Sequence, residues 1–421
     1  MTPQSVVELD DIQLDDYDFW KRPMEEREGT FAKLREERPL AWMIETDDRL
    51  FEPGPGFWSV TKHADILHVS SHPEIFCSGK GATNIPDMPE AFLEFFGSLI
   101  NTDDPKHKRL RGLVSAGFTP AQLRKSEGLM VQAAKKTLDD IMEKGSGDFV
   151  TDIAAPFPIR VICDIMGIPE SKHQFVFDIT NKILGGSDPE YISENQDLAT
   201  EIMGAAMELV AMMNEMRAER LKNPTDDLTT VLINAEIDGE RLSEQDLSSF
   251  FILLANAGNE TTRTALSQGM LALHQNPDQL KIWQDDFEGV TPTAIEEVLR
   301  WGTPVIFMRR TATRDTELRG ETVKEGDKLV LWYCSGNRDE EVFDDPFTFD
   351  VRRDPNDHVA FGGPGPHYCV GANLARREMK IMFHELFTRM PDLHVSGPET
   401  PLLSYFIHGI KYMPIEWTPT K

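Results

Sequence analysis

The sequence contains few cysteines, and none of the four takes part in a C-x-x-C spacing. Cys77, Cys163, Cys334 and Cys369 are scattered along 421 residues, which fits neither a disulfide-rich scaffold nor a zinc module. The plain interpretation of the first three is a small buried side chain. Cys369 differs because glycine and proline crowd the residues before it.

Long hydrophobic runs are also missing. No stretch approaches the roughly 20 apolar residues that a membrane-spanning helix needs. The first twenty residues lack the basic start and apolar run of a signal peptide. We therefore expect a cytoplasmic protein with no membrane anchor, and we expect it to be a monomer.

Basic residues are in the minority, with 43 lysines and arginines against 71 acidic residues and a formal net charge of -28. This balance argues against nucleic acid or an anionic membrane as the main partner. The chain has neither a Gly/Ser-rich linker nor an internal repeat. We therefore expect a single domain over residues 1–421, with a β-rich part at about residues 30–75 and a helix-rich remainder.

Apolar periodicity predicts a mainly α fold with a minor antiparallel β component. The longest helical pattern begins after Ser243, where Asp246 completes a capping box, and runs to about Gln275. Shorter helices are expected from Thr291–Pro292 through TAIEEVLRW and from Ala372 to Arg389. Strand patterns fill residues 307–333, with turns at Gly320 and Gly326. A last hairpin is expected to turn at His408 and Gly409.

The segment FGGPGPHYCVGANLAR, residues 361–376, carries the clearest chemical signal. Glycines allow a backbone to approach a large planar ligand closely, and the start of the following helix favours a thiolate at Cys369. A basic residue two before the cysteine (His367) and a glycine two after it (Gly371) resemble the haem-binding segment of the cytochrome P-450 family. The resemblance implies that Cys369 is the axial ligand of haem iron. One departure concerns Phe361, which lies eight residues before Cys369 rather than the family's usual seven.

Glu297 and Arg300 stand three residues apart, which places both on one face of the predicted helix. Taken alone, such a pair predicts a surface ion pair. In context it resembles the E-x-x-R pair of the same family, which joins an arginine of a later loop to hold the haem-side scaffold. We expect that third member to be Arg353, with Arg352 as the second candidate.

A Gly, a carboxylate and two hydroxyls, Ala257-Gly258-Asn259-Glu260-Thr261-Thr262, interrupt the apolar middle of the long helix. Buried polar groups need partners, so this cluster is expected to face a cavity, water or a ligand. It resembles the family's acid–alcohol pair, read onto Glu260 and Thr261. The resemblance implies that these two residues relay protons during dioxygen activation.

The resemblance covers nearly the whole chain and implies a haem-thiolate monooxygenase. The cofactor is expected to be haem b, held between the long central helix and the helix after Cys369. His107, Arg111, Arg310 and His367 are expected to hold its propionates, together with Gly371 at the cysteine. Electrons are expected from NAD(P)H through a reductase and an iron-sulfur ferredoxin, since no flavin or nicotinamide segment is fused to the chain.

Several tracts, among them FFILLANAGNETTR, MRRTATRDTELRG and LLSYFIHGIK, resemble actinobacterial enzymes that hydroxylate methyl-branched lipids at the chain end. Neighbouring enzymes that oxidise cholesterol side chains share many of these tracts. Apolar residues in the segments that the family places around its pocket favour an elongated apolar substrate. The expected pocket residues are Leu99, Ile100, Leu254, Ala257, Val305 and Phe406, with Phe95 at the start of the first segment. A peroxygenase and a non-catalytic haem sensor are the alternatives.

Overall fold

The computed structural model describes residues 8–46, 51–89, 92–93, 98–184, 190 and 198–420. The chain divides into two compact units, each assembled from separate stretches of sequence. Unit 1 comprises Met1–Asp103, Glu296–Cys369 and Leu403–His408. Unit 2 comprises Asp104–Ile295, Val370–Leu402 and Gly409–Lys421.

Most of the described residues are helical, as the periodicity predicted. The helices are α1 Tyr17–Trp20, α2 Met24–Glu37, α3 His63–Ser71, α4 Lys106–Ser115, α5 Pro120–Asp139, α6 Pro156–Met166, α7 His173–Leu184, α8 Leu198–Lys222, α9 Leu228–Asn234, α10 Glu244–Gln275, α11 Pro277–Asp285, α12 Phe287–Gly302, α13 Tyr333–Gly336 and α14 Ala372–Arg389. Short 3-10 turns at Leu9–Asp11, Leu99–Asn101, Ala116–Phe118 and Glu170–Lys172, and a π-helical turn at Val150–Ala154, complete them.

The strands form small sheets, each contained within one unit. They are β1 Leu40–Met43, β2 Phe57–Val60, β3 Phe76–Cys77, β4 Ser146–Asp148, β5 Glu236–Ile237, β6 Glu240–Arg241, β7 Phe307–Ala312, β8 Thr316–Leu318, β9 Glu321–Val323, β10 Lys328–Trp332, β11 His394–Val395, β12 Thr400–Pro401, β13 Ile410–Tyr412 and β14 Pro414–Glu416. The five-stranded sheet of unit 1 has the order β1-β2-β10-β7-β3 and is antiparallel except between β10 and β2. The predicted class, mainly helical with a minor antiparallel component, is confirmed.

Helix α10 begins and ends where the sequence predicts. The backbone N–H of Asp246 donates to Ser243 Oγ at 3.0 Å, and Ser243 N–H donates to Asp246 Oδ2 at 3.2 Å, which completes the capping box. The helix ends before Asn276 and Pro277. Most of its side chains from Leu247 to Leu273 are buried, as expected of a helix that is apolar on nearly all sides.

Two predicted element boundaries are wrong. Helix α12 begins at Phe287, four residues before Thr291, because the Asp286 side chain accepts a hydrogen bond from Gly289 N–H and caps an earlier start. Pro292 consequently lies inside the helix. The last hairpin has no tight turn at His408 and Gly409, because residues 402–409 form a longer connection between β12 and β13. No helix within the described ranges is long and apolar enough to cross a membrane.

Candidate active site

Unit 1 contains a buried cluster of charges around Glu297 on α12. Arg300 Nε donates to Glu297 Oε2 at 2.7 Å and Arg300 Nη2 to Oε1 at 2.8 Å, and both side chains are fully buried. The other guanidinium N–H groups of Arg300 donate to the carbonyls of Asn337, Pro346 and Thr348. The bidentate geometry is that of a strong arginine–carboxylate pair.

Arg353 is the arginine that joins this pair. Its Nε lies 3.2 Å from Glu297 Oε2, and its remaining donors bind the carbonyls of Asp344, Asp345 and Thr348. Arg352 is exposed. Asn356 Nδ2 and Asp350 N–H also donate to Glu297, at 3.1 Å and 2.9 Å. Every polar side-chain atom of Glu297, Arg300 and Arg353 is therefore hydrogen-bonded, in a cluster that ties α12 to the loop of residues 337–356, although Asn356 Oδ1 at its edge has no partner within the described residues.

The Cys369 loop closes on Phe361 and packs against α3. Cys369 N–H donates to the Phe361 carbonyl at 3.0 Å, so the eight-residue spacing still brings the two residues together. A Cβ added at Gly363 would lie 2.8 Å from the Ser70 side chain, and one at Gly365 would lie 2.3 Å from the Ser70 carbonyl oxygen. Gly365 also has a φ of 138°. Only glycine fits both positions, and among the four cysteines Cys369 alone is exposed.

Arg310 and Tyr333 lie beside the start of this loop. The Arg310 side chain is buried on β7 and donates from Nη1 to the Arg309 carbonyl at 2.8 Å. Burial raises the pKa of the Tyr333 hydroxyl, and the positive charge of Arg310 opposes that rise. A Cβ at Gly362 would lie 3.5 Å from Tyr333 Oη. A buried cation therefore stands near the glycines that precede Cys369, with His367 partly exposed two residues before that cysteine.

In unit 2, one face of α10 remains accessible in the middle of the helix. Ala257 is exposed, and Gly258 and Thr261 are partly exposed, while Asn259, Glu260 and Thr262 beside them are buried. Thr261 Oγ1 donates to the Ala257 carbonyl at 2.6 Å. A Cβ at Gly258 would lie 2.8 Å from Ile162, so this glycine permits the close packing of α6 against α10.

Glu260 is buried and paired within its own helix. Its Oε1 lies 3.1 Å from Arg263 Nη2, one turn along, and Arg263 Nη1 donates to Asn181 at 3.3 Å. Several buried polar atoms here have no hydrogen-bond partner in the part of the chain that the structure describes, namely Asn259 Nδ2 and Oδ1, Glu260 Oε1, which is paired with Arg263 by charge alone, Arg263 Nε and Thr264 Oγ1. Such atoms in a buried segment mark a place that water or a moving proton can occupy.

Glu378 on α14 completes this polar cluster. Thr262 Oγ1 donates to Glu378 Oε2 at 3.1 Å, and both residues are buried. Burial raises the pKa of the Glu378 carboxyl to about 8 despite that hydrogen bond. Arg263 and Glu378 were both missed in the sequence. The i,i+3 spacing from Glu260 predicts Arg263 as its partner, and Glu378 interrupts an apolar row with Leu374 and Met382 at i±4.

The remaining predicted cofactor residues of unit 2 are His107, Arg111 and Gly371. His107 and Arg111 lie one turn apart on one face of α4, with His107 buried and Arg111 partly exposed. His107 Nδ1 is 3.7 Å from Asp104 Oδ1. Gly371 directly precedes α14. Their roles as haem contacts stay predictions.

The predicted pocket residues differ in accessibility. Leu99 and Leu254 are buried, while Ile100, Val305 and Phe406 are partly exposed and Ala257 is exposed. In unit 1, Val305 pairs with Ile407 in an antiparallel bridge, and Ile306 N–H donates to the Phe406 carbonyl at 2.9 Å. Val305 and Phe406 therefore belong to adjacent segments. Phe95 lies outside the described residues.

Residues 190–391 match the family model described as cytochrome P450. A methyl-branched lipid omega-hydroxylase of Mycobacterium tuberculosis is 45% identical, over 99% of this chain and 97% of that protein. A steroid C26-monooxygenase of Mycolicibacterium smegmatis is 38% identical, over 94% and 91%. A solved cytochrome P450 of Mycobacterium marinum in complex with pseudoionone has a TM-score of 0.91 and 39% identity over 99% of each chain.

Proposed function

Because the chain belongs to the cytochrome P450 family and is a monooxygenase, we propose that it hydroxylates a methyl-branched fatty acid or isoprenoid at or near the chain end. The observation that carries the haem-thiolate chemistry of this proposal is the position of Cys369, an exposed residue at the end of a loop in which Gly363 and Gly365 admit no side chain. The similarity to a methyl-branched lipid omega-hydroxylase over almost the whole chain supports the substrate class.

The family implies a haem-iron cofactor, and the residues present fit one. A thiol ligand on an exposed loop, backbone free of side chains beside it and a buried arginine nearby suit a planar iron porphyrin with two carboxylates. We assign the iron ligand to Cys369 and the propionate contacts to His107, Arg111, Arg310 and His367, beside Gly371. We propose that the cofactor is haem b. When bound, the thiolate-ligated haem activates dioxygen for insertion into a C–H bond.

In the proposed reaction, Thr261 and Glu260 of α10 supply the protons that dioxygen activation consumes. Thr261 holds its hydroxyl at the accessible face of the helix, bonded to the Ala257 carbonyl, and it can donate its proton outward after a rotation about χ1. The Glu260 carboxylate, one residue away and paired with Arg263, is suited to hold and resupply that proton. Glu297, Arg300 and Arg353 hold the scaffold and take no part in proton transfer.

We further propose that electrons come from NAD(P)H through a reductase and an iron-sulfur ferredoxin, and that the protein acts in the cytoplasm as a monomer. Hydroxylation of a sterol side chain is the second candidate, because a steroid C26-monooxygenase is also similar over most of the chain. Both substrates are elongated and apolar, as the accessible Ile100, Ala257, Val305 and Phe406 favour.

The test is turnover of purified haem-loaded protein with ferredoxin, reductase and NADPH. Methyl-branched fatty acids, isoprenoids and sterols are supplied in turn, and products are identified by mass spectrometry. We expect a terminal alcohol from a branched lipid. Sterol products alone would favour the second candidate. The absence of any product, with carbon monoxide still binding at the long-wavelength Soret position of a thiolate-ligated haem, would favour a sensor.

Replacement of Thr261 distinguishes a monooxygenase from a peroxygenase. Thr261→Ala removes the hydroxyl that is proposed to deliver protons during dioxygen activation. We therefore expect NADPH consumption to continue while product formation falls and hydrogen peroxide accumulates. The ratio of product to NADPH measures this loss of coupling. Thr261→Ser, which keeps a hydroxyl, is the matched variant and should stay coupled. Unchanged coupling in Thr261→Ala would remove the proposed role of this residue.

A further inference from the structure

His408 forms hydrogen bonds that join two segments of unit 1, one containing the predicted pocket residue Val305 and the other containing Phe406. Its ring Nδ1 donates to the carbonyl of Gly302, the last residue of α12, at 2.7 Å. Its backbone N–H donates to the Pro304 carbonyl at 3.0 Å. With the Val305–Ile407 bridge and the bond from Ile306 N–H to Phe406, residues 302–306 and 406–408 are joined at successive positions.

The imidazole is held as a neutral donor. The pKa of His408 is lowered to about 3, chiefly by burial and in smaller part by the charges of Arg27 on α2 and Arg338 after α13. Arg338 caps the two preceding carbonyls of α12, those of Arg300 and Trp301, at 3.1 and 2.9 Å. Glu28 is the acidic group of this region and is engaged by Arg338 at 3.1 Å. Because a carbonyl only accepts, the proton of the neutral ring lies on Nδ1.

The position of the Phe406 side chain depends on these links between the two segments. Its ring meets Phe307 edge to face at 5.4 Å, and its backbone N–H donates to Ser404 Oγ at 3.1 Å. The Val305–Ile407 bridge, the bond from Ile306 N–H to the Phe406 carbonyl and the two hydrogen bonds of His408 also join its loop to the Val305 segment. A shift of about 1 Å in groups that position a substrate is enough to change rates about hundredfold.

We propose that His408 is a positioning residue that sets the spacing of Val305 and Phe406 and thereby determines which carbon of the bound lipid is oxidised. The proposal rests on the proposed function, because it assumes that these two side chains contact substrate. It assigns His408 no contact with substrate or haem. The imidazole positions the segment through its hydrogen bond to the Gly302 carbonyl. This role needs only one N–H donor at the position of Nδ1.

The test compares His408→Asn, His408→Gln and His408→Leu. An Asn amide can place an N–H where Nδ1 stands, whereas Gln places it farther out and Leu has none. The probe is a fatty acid with a methyl branch next to the chain end. We expect the ratio of terminal to internal alcohol to stay near that of the wild type in His408→Asn and to fall about tenfold in His408→Gln and His408→Leu.

The control is His63→Leu, which removes a buried histidine whose ring likewise donates to a carbonyl, that of Asp357 at 2.7 Å. It should lower stability without moving the product ratio. An unchanged ratio in His408→Gln and His408→Leu, or an equal change in His63→Leu, would overturn the proposal. Failure of the proposed function looks different, since wild-type protein would then give no lipid alcohol. If His408→Leu does not fold, the comparison of His408→Asn with His408→Gln decides.

Discussion

The Glu297 cluster of unit 1 and the polar segment of α10 in unit 2 both bury charged side chains. They differ in how many of the polar atoms around those charges have hydrogen-bond partners. Around Glu297, each carboxylate oxygen accepts several hydrogen bonds, and the guanidinium groups of Arg300 and Arg353 donate to carbonyls in fixed loops. Around Glu260, the side-chain atoms of Asn259 and Thr264 lack protein partners within the described ranges.

This difference separates a scaffold from a site that transfers protons. A saturated network has one arrangement and resists change, because moving any member leaves a buried charge without a partner. A network with unused donors and acceptors can admit water and exchange protons, at a cost in stability. We therefore expect the loss of the Glu297 carboxylate to lower stability and the loss of the Glu378 carboxyl, in the second region, to raise it.

The largest effect is expected from Glu297→Gln. The change removes the negative charge that compensates Arg300 and Arg353 in a fully buried place, so we expect the free energy of unfolding to fall by about 3 to 5 kcal/mol. Guanidinium unfolding of the haem-loaded protein measures it. Arg352→Ala is the matched control, because Arg352 is exposed beside the cluster, and it should change stability by less than about 0.5 kcal/mol. A loss below 1 kcal/mol for Glu297→Gln would contradict the scaffold role.

A second effect concerns rate rather than stability. In Glu260→Gln the carboxylate that resupplies protons is gone while the shape is kept, so we expect turnover to fall about hundredfold with little change in substrate binding. Steady-state rates and spectral substrate titrations separate the two. Glu260→Asp keeps the acid and should recover part of the rate. Equal turnover in wild type and Glu260→Gln would remove Glu260 from proton transfer.

Glu378→Gln should stabilise the protein, in contrast to Glu297→Gln. The pKa of Glu378 is raised from 4.5 to about 8 in the folded state. The unfolded chain therefore releases this proton as pH rises past 4.5, whereas the folded protein keeps it until about pH 8, and stability declines between these values. At pH 7 we expect the variant to be more stable by about 3 kcal/mol, and below pH 4.5 the two proteins should agree. Free energies of unfolding measured at pH 5, 6, 7 and 8 test this pH dependence. If they changed with pH by the same amount in both proteins, the prediction would be refuted.

The same contrast explains what the sequence could predict. Glu297, Arg300 and the ends of α10 follow from local spacing, because helical geometry and capping act between residues three or four apart. The partners of Glu378 and His408 come from residues more than a hundred positions away, which no local pattern specifies. The sequence predicts the start of α12 at Thr291 because Pro292 suits a first turn, whereas in the structure the Asp286 side chain provides an earlier cap.

Thr262→Val is expected to have the smallest effect, and it tests whether the polar cluster is continuous. The hydroxyl of Thr262 donates to Glu378 and so favours its charged form. Without that donor the pKa of Glu378 should rise further, and the free energy of unfolding at pH 9, where the carboxyl of the folded wild type is charged, should fall by about 1 kcal/mol. In the Glu378→Gln background the same substitution should cost less, because the charge that it stabilised is absent. A double-mutant cycle over the four proteins measures the coupling, and additive effects would mean that Thr262 and Glu378 act independently.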